Sequence, residues 1–361
     1  MKKIVTVLGA RPQFVKAAVL SRIINKHKAI EEVIVHTGQH FDANMSEVFF
    51  EEMMIPKPKY NLDINSMSHG AMTGQMMEKI EKVLQIEQPD ALIVYGDTNS
   101  TIAGALAAKK MNIKVVHIEA GLRSFNMKMP EEINRILTDR ISDLLSCPTE
   151  TAIDNLKKEG FDNLPVLIEK HGDIMKDAVV YYSQFSANKS SIIKDQKLEK
   201  NEFVLATIHR QENTEDITKL TAIFKALEKI HKTQTVILPI HPRTSAILKK
   251  LEIHPKIQFI DPVGYYDMLE LLKNCSMVIT DSGGLQKEAF FNKKQCIVVR
   301  EETEWVELVA YGFAKVVGSN TKKILQTFDT YKDMKKDFSV ELYGNNVGEK
   351  IYKSIDQLIQ S

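Results

Sequence analysis

The chain has 361 residues, which at about 150 residues per domain predicts two domains. Lys and Arg number 48 against 47 Asp and Glu, so a net charge of +1 offers no global field to nucleic acid or to an anionic membrane. With 43% hydrophobic and 26% charged residues the composition excludes a disordered chain and predicts a sizeable core.

Three cysteines, Cys147, Cys275 and Cys296, lie scattered without C-x-x-C spacing. Such a set suits a reducing compartment and provides neither a disulfide framework nor a zinc site. Met1-Lys2-Lys3 resembles the start of a signal peptide, but the apolar stretch Ile4–Leu8 is cut short by Gly9 and Arg11. No run approaches the roughly 18 apolar residues of a membrane span. A cytoplasmic protein is expected.

Strands are predicted at Ile4–Leu8, Val33–Thr37, Leu92–Tyr95, Val115–Glu119 and Leu144–Cys147. Between them fall amphipathic helices near Gln13–Lys26, Met72–Leu84, Thr101–Lys110, Glu131–Ser142 and Glu150–Glu159. The second half repeats the pattern, with strands at Phe203–Ile208, Val236–Ile240, Ile257–Ile260, Met277–Thr280 and Cys296–Val299. Helices fit at Ile217–His231, Thr244–Leu251, Tyr266–Asn274 and Leu285–Phe291. Alternating strands and helices with uninterrupted apolar strands indicate parallel sheets covered on both faces. The fold class is therefore α/β, with two doubly wound, Rossmann-like domains and a cleft between them. The expected divisions are 1–168 and 169–344, with a final helix near Asn345–Ile359 in a segment 345–361 that packs back on the first domain. Ser186–Glu202 reads as a surface loop.

Ligands of open parallel sheets bind at the carboxyl ends of the strands, and polar residues cluster at those ends. After the first strand, Arg11 and Lys16 could clamp a phosphate or carboxylate at a helix start, although a glycine turn with two solvated cations has the same sequence. Asp97, Glu119 and Glu131 fall at or near strand ends of one domain. Neighbouring carboxylates would push at least one proton affinity upward, as an acid–base pair requires. Asp97 also suits a helix cap, and Glu131 with Arg135 a surface ion pair. His209 and Arg210 follow one strand of the second half, His241 another. Ser282, Gly283 and Gly284 open a helix where backbone N–H groups could meet an anion, with Glu288 a turn later for a ribose hydroxyl pair. No G-x-x-x-x-G-K-[ST], G-x-G-x-x-G, G-x-S-x-G or H-E-x-x-H motif is present, and no metal or cofactor is expected.

Taken together these motifs resemble the non-hydrolysing UDP-N-acetylglucosamine 2-epimerases, whose two halves are similar to those of GT-B glycosyltransferases. The anchors are G-A-R-P-Q at 9–13, T-G-Q-H at 37–40, G-D-T at 96–98, E-A-G-L-R at 119–123 and P-E-E-x-N-R at 130–135. H-R-Q-E-N at 209–213, D-S-G-G-L-Q-K-E at 281–288 and R-E-E-T-E at 300–304 complete the series. The resemblance implies inversion at C2 of a UDP-2-acetamido sugar by elimination of UDP to a 2-acetamidoglucal and re-addition, with no cofactor. It implies catalytic roles for Asp97, Glu119, Glu131 and His209. Substrate contacts would come from Arg11, Lys16, Gln39, His40, Arg135, Arg210, His241, Ser282, Gly283, Gly284, Glu288 and Arg300. Its expected partners are the UDP-sugar, UDP and a second copy of the chain.

Three departures set this chain apart from common members of that family. Thr303-Glu304-Trp305-Val306-Glu307 replaces T-E-R-P-E, the segment between Arg123 and Pro130 is shorter, and Gly172-Asp173-Ile174-Met175 replaces a G-N-T-V run. All three resemble the branch acting on UDP-2,3-diacetamido-2,3-dideoxyglucuronic acid, which serves O-antigen and capsule synthesis. A uronate asks for an extra cation, for which Lys128 is the candidate, though it also reads as solvated surface. Ser66–Gly70 lacks the Arg of an allosteric site known in some members. A GT-B glycosyltransferase and a hydrolysing 2-epimerase are the alternative readings.

Overall fold

The computed structural model describes residues 1–39 and 53–360. The chain forms two compact units, one of residues 1–178 with 341–361 and one of residues 179–340.

The first unit is built on a seven-stranded sheet in the order β3-β2-β1-β4-β5-β6-β7. Its strands are β1 (Lys2–Leu8), β2 (Ile30–His36), β3 (Tyr60–Asn61), β4 (Ala91–Tyr95), β5 (Lys114–Ile118), β6 (Leu144–Cys147) and β7 (Leu167–Lys170). Every pairing is parallel. Val5, Val7, Val35, Leu92, Val94 and Val115 form a dry central stripe. The helix Asn99–Lys110 packs close over it because Ala103, Gly104, Ala107 and Ala108 are small. A Cβ on Gly104 would lie only 3.3 Å from Val7 and Val94.

The closing segment belongs to this unit. Gly348, in the helix Val347–Gln360, sits against Val19 and Ile23 of the helix Arg11–His27, and Tyr352 stacks on His27 with ring centroids 4.4 Å apart. Glu349 completes the contact with Lys26 and His27, each at 3.0 Å.

The second unit carries a six-stranded parallel sheet in the order β10-β9-β8-β11-β12-β13. Its strands are β8 (Phe203–Thr207), β9 (Thr235–Pro239), β10 (Gln258–Ile260), β11 (Met277–Thr280), β12 (Cys296–Val298) and β13 (Ala314–Val316). The helix Ile217–His231 shows why the pattern was legible. Asp216 accepts from Thr218 N and Lys219 N at its start, and Leu220, Ile223, Phe224, Leu227 and Ile230 share its buried face.

Ser186–Glu202, expected as a loop, instead begins inside the helix Ile174–Lys189 and contains a further turn at Ile192–Asp195. Asp173 starts that longer helix by accepting from Met175 N at 2.9 Å, and Ala178, Tyr182 and Ser186 recur on its buried side.

Each sheet reverses its winding between its two central strands, β1 and β4 in one unit and β8 and β11 in the other. A crevice opens at the carboxyl ends of the strands at such a reversal.

Two measurements probe these contacts. Gly172 has φ +104° and a Cβ there would lie 2.2 Å from the Tyr343 carbonyl oxygen, so Gly172→Ala should cost about 3 kcal/mol in denaturant unfolding. Glu87 receives Lys59, Tyr60 and Lys3, which outweigh burial and draw its carboxyl down to about 2 from an ordinary 4.5. Because its folded value is depressed, the stabilisation is present above pH 4.5 and drains away as pH falls toward 2. Glu87→Gln should therefore unfold at lower denaturant than the parent at pH 7, with the gap closing in acid. A gap independent of pH would contradict this.

Candidate active site

In the first unit the loops after β1 and β4 are knotted by one side chain. Gly9 N and Ala10 N donate to Gln13 Oε1 at 2.8 and 3.0 Å. Gln13 Nε2 donates to the Tyr95 carbonyl at 2.7 Å and to the Thr98 and Thr101 hydroxyls at 3.0 Å each. Gly9 must lack a side chain here, since a Cβ would lie 2.0 Å from Ser100 Oγ. Ser100 in turn donates from its backbone and hydroxyl to Gln39 Oε1, at 3.1 and 2.8 Å. His40 lies outside the described residues.

The carboxylates expected to raise one another's proton affinity face cations instead. Asp97, at the end of β4, pairs with Arg135, and Lys16 Nζ meets Glu119 Oε1 at 2.5 Å. Arg135 and Lys16 are nearly buried, while Asp97 and Glu119 keep 29% and 12% of their side-chain surface open. Glu131 is half-buried in the first turn of the helix Pro130–Ile141. Arg11 is half-buried at the start of its helix. Lys16 thus serves Glu119 rather than standing beside Arg11 as an open clamp.

Sequence reasoning missed Glu132. Its wholly buried carboxylate accepts from Ser124 N, Ser124 Oγ and Phe125 N at 2.9 to 3.1 Å and pairs with Arg135 Nη1 at 3.2 Å. One carboxylate therefore holds both the cation of Asp97 and the start of the shortened 124–129 segment. Lys128 stands exposed on that segment.

In the second unit the corresponding knot is Asp281, fully buried just after β11. It accepts from His209 N at 3.0 and 3.1 Å, from Arg210 N at 3.0 Å and from Asn213 Nδ2 at 3.1 Å. The loop after β8 is thereby fixed to the loop after β11. Burial pushes the His209 imidazole below its ordinary value; the Asp281 charge opposes that and Arg210 and Arg243 reinforce it. His241 is lowered by burial, His209 and Arg243, and the two rings lie 6.4 Å apart. Both favour the neutral form. His241 Nδ1 also accepts from Arg243 N at 3.2 Å, capping its own helix.

Ser282 caps the helix Gly283–Phe291, its hydroxyl accepting from Leu285 N at 3.5 Å. Arg210 Nη2, Glu304 Oε2 and Trp305 Nε1 converge on Gly283, each 3.7 to 3.9 Å from where a Cβ would stand, and Gly284 faces open space. Glu288 is nearly buried in the following turn. Arg300 is different: it is completely buried, doubly bonded to Glu304 at 3.0 and 3.1 Å and close to Glu212 at 3.3 Å. Its guanidinium shapes the 300–305 loop. Trp305, the residue at one of the three departures, lies under Lys287, whose Nζ is 3.9 Å from the ring centroid.

Among the described residues no group of three or more His, Cys, Asp and Glu is arranged to hold a metal ion, and no helix is long and apolar enough to cross a membrane. The three cysteines are buried thiols, with Cys275 pushed up to about 12 by burial.

The sequence model of the family described as UDP-N-acetylglucosamine 2-epimerase matches residues 22–356. The chain is 50% identical over 343 residues to the UDP-2,3-diacetamido-2,3-dideoxy-D-glucuronate 2-epimerase of Pseudomonas aeruginosa, covering 95% of this chain and 96% of that protein. It is 39% identical over 361 residues to the UDP-N-acetylglucosamine 2-epimerase of Methanocaldococcus jannaschii, covering 97% and 98%. A crystal structure of the M. jannaschii enzyme with UDP-GlcNAc and UDP matches with a TM-score of 0.90 at 38% identity over the whole of both chains. The conclusion from sequence, fold and site residues is one: the chain belongs to the UDP-N-acetylglucosamine 2-epimerase family.

Proposed function

We propose that the chain inverts C2 of UDP-2,3-diacetamido-2,3-dideoxyglucuronic acid, releasing and re-adding UDP within one catalytic cycle. The observation that carries the chemistry is the pair of carboxylates Asp97 and Glu119, at neighbouring strand ends and each set against a buried cation.

In the first half-reaction a carboxylate removes the C2 proton. The C2–H electron pair becomes the C1=C2 bond, and the C1–O bond breaks toward the β-phosphate oxygen of UDP. In the second half-reaction a protonated group delivers a proton to the opposite face of C2 while the UDP oxygen returns to C1. Asp97, Glu119 and Glu131 are the acid–base candidates. The family resemblance assigns Arg11, Arg210 and the Ser282–Gly284 helix start to the anionic diphosphate, and a helix start with Arg210 beside it suits an anion. Neutral His209, backed by Asp281, can donate to the departing oxygen, His241 lies 6.4 Å from its ring, and Glu288 takes the ribose hydroxyls. Gln39 and His40 are carried over from the family resemblance as substrate-binding residues.

The choice of sugar rests on the 50% identity to the P. aeruginosa enzyme named for that uronate, and on the three departures described above. Lys128 is the cation offered to the uronate carboxylate. On this reading the protein works in the cytoplasm as a homodimer.

Asp97→Asn, Glu119→Gln and Glu131→Gln should each lower turnover by roughly 10²-fold while calorimetric UDP binding survives. Near-normal turnover in all three would defeat the assignment. Arg11→Ala should weaken UDP binding itself by about tenfold, the scale of one charge-assisted hydrogen bond. Lys128→Ala should raise KM for the uronate by about tenfold on the same scale and leave calorimetric binding of UDP-N-acetylglucosamine unchanged. Equal effects on the two sugars would remove Lys128 from the uronate site. Free UDP should not accumulate in step with turnover, as it would for a hydrolysing epimerase.

A further inference from the structure

Behind the carboxylate loops of the first unit lies a buried charge cluster for which the proposed chemistry gives no task. His117 and Asp139 are buried, Arg123 is nearly so, and Glu159 reaches solvent. His117 Nε2 faces the Gly96 carbonyl oxygen at 2.7 Å, and its Nδ1 faces Asp139 Oδ1 at 2.7 Å. Asp139 Oδ2 accepts from Gly121 N at 3.2 Å and from Arg123 Nη1 at 2.7 Å. Arg123 is bound again by both oxygens of Glu159, each at 2.7 Å.

A carbonyl oxygen only accepts, so His117 Nε2 carries a proton. Burial alone would raise the Asp139 carboxyl, but His117 and Arg123 outweigh it and hold it below the ordinary carboxylate value. One proton lies between Nδ1 and Asp139 Oδ1, and the bridge holds whichever partner carries it. Arg123, set between Asp139 and Glu159, supplies the opposite charge that permits the burial.

The cluster bridges two backbones. Gly96 directly precedes Asp97, and Gly121 follows Glu119 by two residues. Gly96, Glu119 and Gly121 all have left-handed backbone, with φ of +62°, +74° and +77°. For a glutamate that conformation is strained and persists only where neighbours over-determine it. They do so here: Glu119 N and Ala120 N donate to the Ser146 carbonyl, Asn155 Nδ2 donates to the Gly121 carbonyl, and Asp139 holds the Gly121 N–H.

We infer that His117 and Asp139 are positioning residues, whose bridge from the Gly96 carbonyl to the Gly121 N–H sets the separation of the Asp97 and Glu119 carboxylates. The inference rests on the reading that these two carboxylates perform the proton transfers. A misplacement of about 1 Å at such a site can cost on the order of 10²-fold in rate.

The test uses the full chain and three variants. His117→Asn keeps an N–H near the Nδ1 position for Asp139 and loses the bond to Gly96. His117→Gln reaches Gly96 and loses Asp139. Asp139→Asn keeps every bond: its oxygen accepts from Gly121 and Arg123, and its amide donates to Nδ1 of a neutral ring that still donates from Nε2 to Gly96. Both His117 variants should lower kcat for C2 exchange about tenfold or more with KM within about twofold, whereas Asp139→Asn should stay within about threefold of the parent.

A folded His117→Asn with parental kcat overturns the inference, as does an Asp139→Asn as slow as the His117 variants. If the His117 variants do not fold, nitrogen-15 NMR of the parent decides. A protonated His117 Nε2 coupled across its hydrogen bond to the Gly96 carbonyl carbon supports the bridge, and a bare Nε2 overturns it. A parent that exchanges no C2 proton defeats the catalytic reading instead, and the ring spectrum still reads the bridge independently.

Discussion

Parallel strands covered on both faces leave no place for polar chemistry except their ends, and this constraint organises both units. The central strands are so thoroughly apolar that loops leaving them must satisfy their own buried N–H and carbonyl groups. Each unit does so with one buried side chain at the reversal of its sheet. Gln13 spends its amide on five groups from the loops after β1 and β4. Asp281 spends its carboxylate on the loop after β8. The groups proposed to meet substrate stand on loops fixed in this way.

The same need to compensate buried charge decides how the carboxylates are presented. Three acidic groups crowded together would compete for a shared proton, but Asp97 and Glu119 each have a cation of their own. Arg135 is in turn anchored by Glu132, which also grips the backbone at Ser124 and Phe125. Truncating one member of so buried a chain leaves an uncompensated charge, which is costlier than the pair itself is worth. Charge balance here secures geometry more than stability. In the second unit His209 and His241 are held toward neutrality, and the positive character at the Gly283 helix start comes from its backbone dipole and Arg210.

Central strands and well-capped helices were legible in the sequence because periodicity and packing agree there, as in Phe203–Thr207 and Ile217–His231. The edge strands Tyr60–Asn61, Leu167–Lys170 and Ala314–Val316 were not, being short and carrying polar residues where a buried strand would be apolar. The helix Ile174–Lys189 was hidden by Val179-Val180-Tyr181-Tyr182, a run with strand preference that tertiary packing overrides. Site residues inside contiguous motifs, such as Asp97, Glu119 and Ser282, could be named in advance. Glu132, His117 and Asp139 could not be given roles, since their partners are backbone groups of loops brought near only by folding. Arg300 shows the converse, a motif residue that looked available for substrate and lies wholly inside the fold.

The most direct test of the account is proton NMR in D2O, with the enzyme incubated separately with UDP-2,3-diacetamido-2,3-dideoxyglucuronic acid and with UDP-N-acetylglucosamine. Deuterium at C2 together with a new manno epimer is expected from the uronate, and little or none from the second sugar. Exchange only with UDP-N-acetylglucosamine would keep the chemistry and contradict the substrate. No C2 exchange with either sugar would contradict the central claim.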